Sequence, residues 1–341
     1  SYSLAILNRS FTRSLDKEIN NVSIHITEGA GDYQVDVNFL RKFMDIYTKY
    51  KSKDKLSNIP DVISRNLYPP RVSDMNARIN LLHAYGWEES EFPQNWINDF
   101  NSYLQGITVM SSQVKKILID NGLRIPIKVC GLGIEHLDST GHSEFITLPA
   151  KTFKFLHVSS CFPRKGIDIL LEAYCANFTI NDKVSLIIKT FHNEHNNIEE
   201  LIKNRQENNP LTPDIVLLKE DLSDNQMRYL YTTCDALVAP SRGEGFGLPI
   251  AEAMHYCLPV ITTRWGGQLD FCNPSNCFLI DFKFVLSTSH FRMDLSYWAE
   301  PSISHLGDLM LLLYNSDSSL TKQKIDVARA TISKYRWTNV A

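Results

Sequence analysis

The chain has 341 residues, 43% apolar and 21% charged, with 35 Lys and Arg against 38 Asp and Glu for a formal net charge of −3. That length predicts two domains of ordinary size, each able to bury a core without disulfides or structural metals, and the apolar fraction excludes a disordered chain. The near-neutral balance excludes a global attraction to nucleic acid, and no run approaches the ~18 consecutive apolar residues of a membrane-spanning helix.

Seven cysteines, an odd number with no C-x-x-C pair, read as reduced thiols of a cytoplasmic protein. The first residues lack the basic-then-apolar pattern of a secretory signal. Residues 1–15 carry apolar side chains at 4, 6, 7, 11 and 15, a helical stripe, so a preceding element is expected before them. Residues 22–26 alternate as a strand should, Gly29 and Gly31 mark a turn, and a helix is predicted over 38–50. The stretch 41–55 sets Arg41, Lys42, Lys49, Lys51, Lys53 and Lys55 against Asp45 and Asp54. Such a run is either a solvated helix face or a surface for anionic lipid or a phosphorylated acceptor. Strands are predicted near 61–64, 79–85, 106–110 and 127–130, with a break at Pro69-Pro70. Helices are predicted over 96–104 and 112–120, the second capped by Ser111 or Ser112 and ended by Asn121-Gly122.

From 142 to 151 the periodicity lapses around Pro149, which suits a linker. The alternation then restarts, with strands at 153–159, 184–189, 215–218, 236–239 and 259–262 and helices at 167–176, 197–205, 224–233 and 249–256. Strands alternating with helices at this spacing predict parallel sheets covered on both faces. The organisation expected is an N-terminal Rossmann-like domain over 1–138, a linker over 139–150, a C-terminal Rossmann-like domain over 151–325 and a helical segment over 326–341. Two doubly wound domains would face each other across a central cleft at the carboxyl ends of their strands.

The most informative stretch is Pro240-Ser241-Arg242-Gly243-Glu244-Gly245-Phe246-Gly247-Leu248-Pro249, ahead of Glu252. A strand ends at Ala239, a loop with three glycines follows, and Pro249 sits where a first helical residue belongs. Glycines let backbone N–H groups approach a ligand, and a helix N-terminus offers free donors and partial positive charge, so the loop suits a diphosphate. Glu252, predicted in the first turn of that helix, is placed to accept from ribose hydroxyls. In the first half, Glu88 and Glu89 follow a strand end, where they either line an acceptor site or cap the next helix. His83 lies in an apolar strand and reads as a core histidine or an acceptor-side candidate; Arg65 and Asn66 are weaker candidates. His192-x-x-His195 is the closest histidine pair, without an accompanying Cys or carboxylate cluster, so no metal site is expected.

Glu244 and Glu252, with seven residues between them in this setting, resemble the E-x7-E motif of the glycosyltransferase family 4 group, whose members have the GT-B fold. Residues 159–166, ending Arg164-Lys165-Gly166, are similar to that group's strand-loop, 222–235 to its preceding helix, and Trp265-Gly266-Gly267-Gln268-Leu269-Asp270 to its "G-G-x-x-E" turn, with Asp in place of Glu. Residues 109–112 and 129–135 resemble first-domain segments, and 335–341 resemble the lead-in to the final helix. The resemblance implies an α/β protein of GT-B architecture. It implies a retaining glycosyltransferase that moves a sugar from a nucleoside-diphosphate sugar to a glycan or lipid-linked acceptor, in cell-surface polysaccharide biosynthesis, with no cofactor and no metal. Glu252 would bind the donor ribose, Glu244 would lie against the transferred sugar, and the backbone of Gly245, Phe246, Gly247 and Leu248 would cradle the diphosphate. Lys165 would contact the donor phosphates, with Arg164, Ser160 and Lys189 as further donor-side candidates and Glu88, Glu89 and His83 on the acceptor side. The place expected is the cytoplasm, with peripheral contact at the inner membrane face. Two other readings stay open: a sugar-nucleotide epimerase of the same fold, and a non-catalytic nucleotide-sugar-binding module of a larger protein.

Overall fold

The structure is a computed structural model that describes residues 3–19, 21–28, 31–32, 36–52, 59–138, 144–193, 196–289, 293–316 and 318–341. It divides into two units, one of Ser1–Trp87, Glu91–His136 and Tyr335–Ala341, the other of Glu88–Ser90 and Leu137–Lys334. Gly29, Lys53, Asp54, Lys55 and His195, all used in the sequence reading, lie outside the described residues.

The first unit opens with helix α1 (Ser3–Glu18), a two-rung antiparallel pair of β1 (Thr27–Glu28) and β2 (Gly31–Asp32), and helices α2 (Val37–Leu40) and α3 (Met44–Ser52). Residues 22–26 do not form the predicted strand, since the Ile24 N–H donates to the Lys49 carbonyl instead of a ladder partner. The helix predicted over 38–50 breaks in two. The Asp36 carboxylate caps α2 by accepting from the Asn38 and Phe39 N–H groups, and the N–H groups of Lys42 and Phe43 then close a tight turn on Phe39 and Leu40.

Strands β3 (Val62–Arg65), β4 (Ile79–Tyr85), β5 (Gly106–Val109) and β6 (Ile127–Val129) form a wholly parallel sheet in sequential order. Helices α4 (Gln94–Tyr103) and α5 (Ser112–Asp120) provide crossovers, and the Ser111 hydroxyl caps α5 by accepting from Val114 N–H. Near its end β4 bulges: Ala84 takes φ +43°, and the Asn66 amide donates to the carbonyls of His83 and Ala84.

The second unit holds a six-stranded parallel sheet in the order β12-β11-β10-β7-β8-β9, formed by β7 (Phe153–Val158), β8 (Val184–Lys189), β9 (Asp214–Leu218), β10 (Ala236–Ala239), β11 (Val260–Thr263) and β12 (Phe278–Ile280). Every residue of β8, β10, β11 and β12 is buried, the continuous apolar pattern of a sheet covered on both faces. Between the strands run α6 (Ile167–Asn177), α7 (Ile198–Asn208), α8 (Asp224–Thr233) and α9 (Leu248–His255); α8 begins with a full capping box between Ser223 and Gln226. A hairpin of β13 (Phe282–Leu286) and β14 (Tyr297–Pro301) follows, then α10 (Ile303–Asn315), which packs on α6, and α11 (Ser318–Ile332), which packs on α9.

The chain lays β7, β8 and β9 outward in one direction and β10, β11 and β12 in the other. The order therefore reverses between β7 and β10, and in open parallel sheets the crevice at the carboxyl ends of such a strand pair is where ligands bind.

Candidate active site

Two loops leave that switch point: residues 159–166 after β7 and 240–247 after β10. Glycines let them touch. Gly166 takes φ +67°, and a Cβ on it would lie 2.0 Å from the Pro240 carbonyl oxygen, so no side chain fits there. The Arg242 N–H donates to the Arg164 carbonyl at 2.7 Å, sewing the loops together. Gly247, at φ +87°, ends the second loop and starts α9, whose N-terminus has no side-chain cap. Pro249 occupies the second helical position.

At the junction the Lys165 ammonium donates to Glu244 Oε1 at 2.6 Å, and the Ser241 hydroxyl donates to the same oxygen at 2.7 Å. Burial raises the Glu244 pKa, but the Lys165 and Arg164 charges outweigh it and hold the carboxyl below its usual value. Lys165 is pulled down, first by burial and then by the Arg164 charge, with Glu244 opposing. The Arg164 guanidinium also donates to the Gly243 carbonyl and pairs with Glu88 Oε1, both at 3.2 Å. A Cβ on Gly243 would sit 2.6 Å from the Glu88 carbonyl, so the loop packs directly on that backbone. The arrangement is a compact, water-poor group of two cations beside a glycine loop and an uncapped helix start, the chemistry of an anion site.

Glu252 lies in the second turn of α9 rather than the predicted first, because the helix begins at Leu248, and its Oε2 accepts from the buried Tyr231 hydroxyl at 2.6 Å. Gly245 is buried, and the Phe246 side chain packs on Phe271 at 5.0 Å, so this stretch presents backbone. The Ser160 carbonyl accepts from the Asn193 and Asn196 amides, and buried Lys189 donates to the Thr190 carbonyl. Burial lowers the Lys189 pKa, with the Asp221 and Glu220 charges opposing.

The acceptor-side candidates part company. Glu88–Ser90 group with the second unit, and neither glutamate caps α4, whose N-cap position is Pro93, with no side-chain cap. Buried Glu89 accepts from the Ser287 and Ser296 hydroxyls at 2.9 and 2.8 Å, a pin for the β13–β14 hairpin rather than an acceptor contact. His83 is a core histidine. Its Nδ1 meets the Ser64 hydroxyl, its Nε2 meets Asn8 Oδ1, its ring stacks on Phe11 at 4.0 Å, and burial pushes its pKa down to about 3. Arg65 pairs with Asp74 and Asn66 serves the β4 bulge, so both have structural work. Among the described residues no group of three His, Cys, Asp or Glu could hold a metal ion.

Sequence reasoning passed over three residues here. Arg242, buried, donates to Asp168 at 2.9 and 2.7 Å and to Glu300 at 2.5 and 2.8 Å, over the Trp298 ring. His157 offers Nδ1 to the Val238 carbonyl and Nε2 to the Ser159 hydroxyl, and burial lowers it to about 4. Tyr231 holds Glu252. Their one local signal was a polar or basic residue beside the glycine loop or inside an apolar strand.

Residues 139–283 match the family model of glycosyl transferases group 1. The chain is 30% identical over 128 residues to the O-antigen chain mannosyltransferase RfbU of Salmonella typhimurium, covering 37% of this chain and 34% of that protein. It thus spans about a third of the length of that curated relative. Its fold is similar to Anabaena Alr3699/HepE in complex with UDP and glucose, at TM-score 0.58 and 20% identity over 76% of this chain and 68% of that one. It is likewise similar to sucrose-phosphate synthase from Thermosynechococcus elongatus, at TM-score 0.64 and 15% identity over 98% and 90%. The fold class is α/β of GT-B type, as expected.

Proposed function

We propose that the protein is a retaining glycosyltransferase that moves a sugar from a nucleoside-diphosphate sugar to a glycan or lipid-linked acceptor, with no cofactor or metal ion beyond that co-substrate. The observation that carries this reading is the largely buried Lys165–Glu244 pair at the switch point, Glu244 buried and Lys165 half-buried, beside the glycine loop and the uncapped start of α9. A buried ion pair is a poor device for stability, because desolvation offsets most of its attraction. Cations already desolvated beside a helix N-terminus are well suited to the charge that builds on a departing diphosphate.

In this reading Lys165, with Arg164, receives the leaving diphosphate, backbone N–H groups from Gly245 to Leu248 cradle it, and Glu252, oriented by Tyr231, accepts from the ribose. Glu244 lies against the sugar hydroxyls. The acceptor hydroxyl attacks from the face the diphosphate leaves, and a donor phosphate oxygen takes its proton. The named relatives support UDP-hexoses and GDP-mannose as the first donors to try, and cell-surface polysaccharide as the product class. The work would be done in the cytoplasm, at the inner membrane face. No helix among the described residues is long and apolar enough to cross a membrane, so contact there would be peripheral, through the basic residues of 41–52.

A panel of nucleotide sugars, with diphosphate release as readout, tests the reading. One donor is expected to turn over, and Lys165→Ala and Glu252→Ala to lose that turnover while circular dichroism shows them folded. Wild-type rates in both variants would overturn the assignment of roles.

A further inference from the structure

The β13–β14 hairpin lies outside the six-stranded sheet, yet it is bolted to the candidate site at several points. Glu300 pairs with Arg242, the Ala299 N–H donates to the Arg242 carbonyl at 3.0 Å, and Trp298 lies under the Arg242 guanidinium. Ser287 and Ser296 grip Glu89, and the Tyr297 N–H donates to the Ser90 hydroxyl at 2.7 Å. One face of the hairpin is thereby fixed. By register Phe282, Phe284, Leu286 and Tyr297 share the other face.

That other face is apolar and open. Phe284 and Leu286 are each 53% exposed and Tyr297 45%. Phe284 meets the Trp265 ring edge-on at 4.8 Å and Phe282 at 5.1 Å, so the strip starts at Trp265. The next residues, Gly266 and Gly267, touch the site, because the Gly267 N–H donates to the Glu244 carbonyl at 2.7 Å. An exposed ion pair, Arg264 with Asp281 at 3.0 Å, flanks the start of the strip. Aromatic rings continuous with the transfer loop, and a charged pair beside them, therefore form one fixed ledge.

We infer that this ledge is a subsite for a short stretch of the acceptor glycan, with Trp265, Phe284 and Tyr297 stacking on the C–H faces of successive sugar rings. The inference rests on the proposed glycosyl transfer. Two observations select a glycan over a second copy of the chain. The strip is continuous with the loop that holds Glu244, where an acceptor must arrive. Its exposed side chains amount to on the order of 400 Å², about half of the ~800 Å² per partner that a stable protein interface buries.

The test uses di- to pentasaccharides of mannose, galactose and glucose, followed by saturation-transfer NMR on the full chain, with UDP and GDP binding measured in parallel. At least one saccharide is expected to show saturation at ring C–H protons. The double variant Phe284→Ala/Tyr297→Ala should weaken it at least about fivefold, and Phe284→Trp should keep it. Nucleotide affinity should stay within twofold in these variants, because the positions are exposed and outside the donor loop. Nucleotide binding without any saccharide binding sinks the ledge and leaves the donor reading intact, whereas absence of both sinks the donor reading itself. Equal saccharide binding by the double variant, or a wild-type dimer that the double variant abolishes, overturns the inference.

Discussion

The turn after β4 and the turn after β10 both leave the carboxyl end of a parallel strand and lead into a helix without a side-chain N-cap, yet they are built from opposite materials. After β4, Tyr85, Trp87 and Phe92 interlock with Trp96 and Phe100 at ring distances of 4.7–6.1 Å. After β10, three glycines, Arg242 and Glu244 fill the equivalent place, and the neighbouring loop contributes Lys165. The first turn gains stability from buried apolar area. The second accepts desolvated charge and tight backbone contact, a combination that costs stability unless a ligand uses it.

The largest test of that contrast is Trp87→Ala, expected to cost about 3–5 kcal/mol of stability while molecules that remain folded keep their transfer rate. Equal loss of rate and stability would erase the distinction. Lys165→Ala should do the reverse, lowering transfer by about 10²–10³-fold. It also strands the Glu244 charge, so Lys165→Ala/Glu244→Gln should regain thermal stability without regaining turnover; recovered turnover would count against a role for Lys165.

Among the described residues each unit buries one histidine, His83 with a pKa of about 3 and His157 with a pKa of about 4, both lowered by burial. The unfolded chain takes up protons near pH 6.5 while the folded one does not, so stability should fall as pH drops from about 6.5 towards 4, on the order of 2 kcal/mol per histidine by about pH 4.5. Urea midpoints measured across that range should show His157→Gln with a shallower slope than wild type. An unchanged slope would mean that His157 does not titrate as its burial requires.

The smallest effects come from adding one methyl to each turn. Gly243→Ala would press on the Glu88 backbone at 2.6 Å and should cost about 1–3 kcal/mol with a matching loss of activity. Gly86→Ala meets only the end of the flexible Met110 side chain, at 2.6 and 2.8 Å, so its cost should stay below about 1 kcal/mol. Equal melting temperatures for the two variants would show that the donor loop is not tightly packed.

Strong periodicity and caps were legible from the chain alone. The spans of β4, β8, β10 and α8 come out as read, and Ser111, one of the two serines offered, is the cap, because in each the local apolar or capping pattern agrees with what the surrounding fold supplies. The failures were local patterns overruled by distant partners. Residues 22–26 alternate correctly but have no neighbouring strand, and the β13–β14 hairpin has a weak pattern of its own, being held by Arg242 and Glu89.

The same division runs through the candidate site. Sequence by itself determined the α/β class, the glycine loop ahead of a proline-bearing helix, and the residue types able to meet a diphosphate, since backbone freedom and charge are properties of single residues at fixed spacing. Only the tertiary structure decided which charges meet. It set Lys165 on Glu244 across 79 positions, sent Glu89 to the hairpin, sealed His83 in its sheet and made Arg242 a hub. Those choices depend on strand order, and strand order follows from burying apolar faces that no short window of sequence contains.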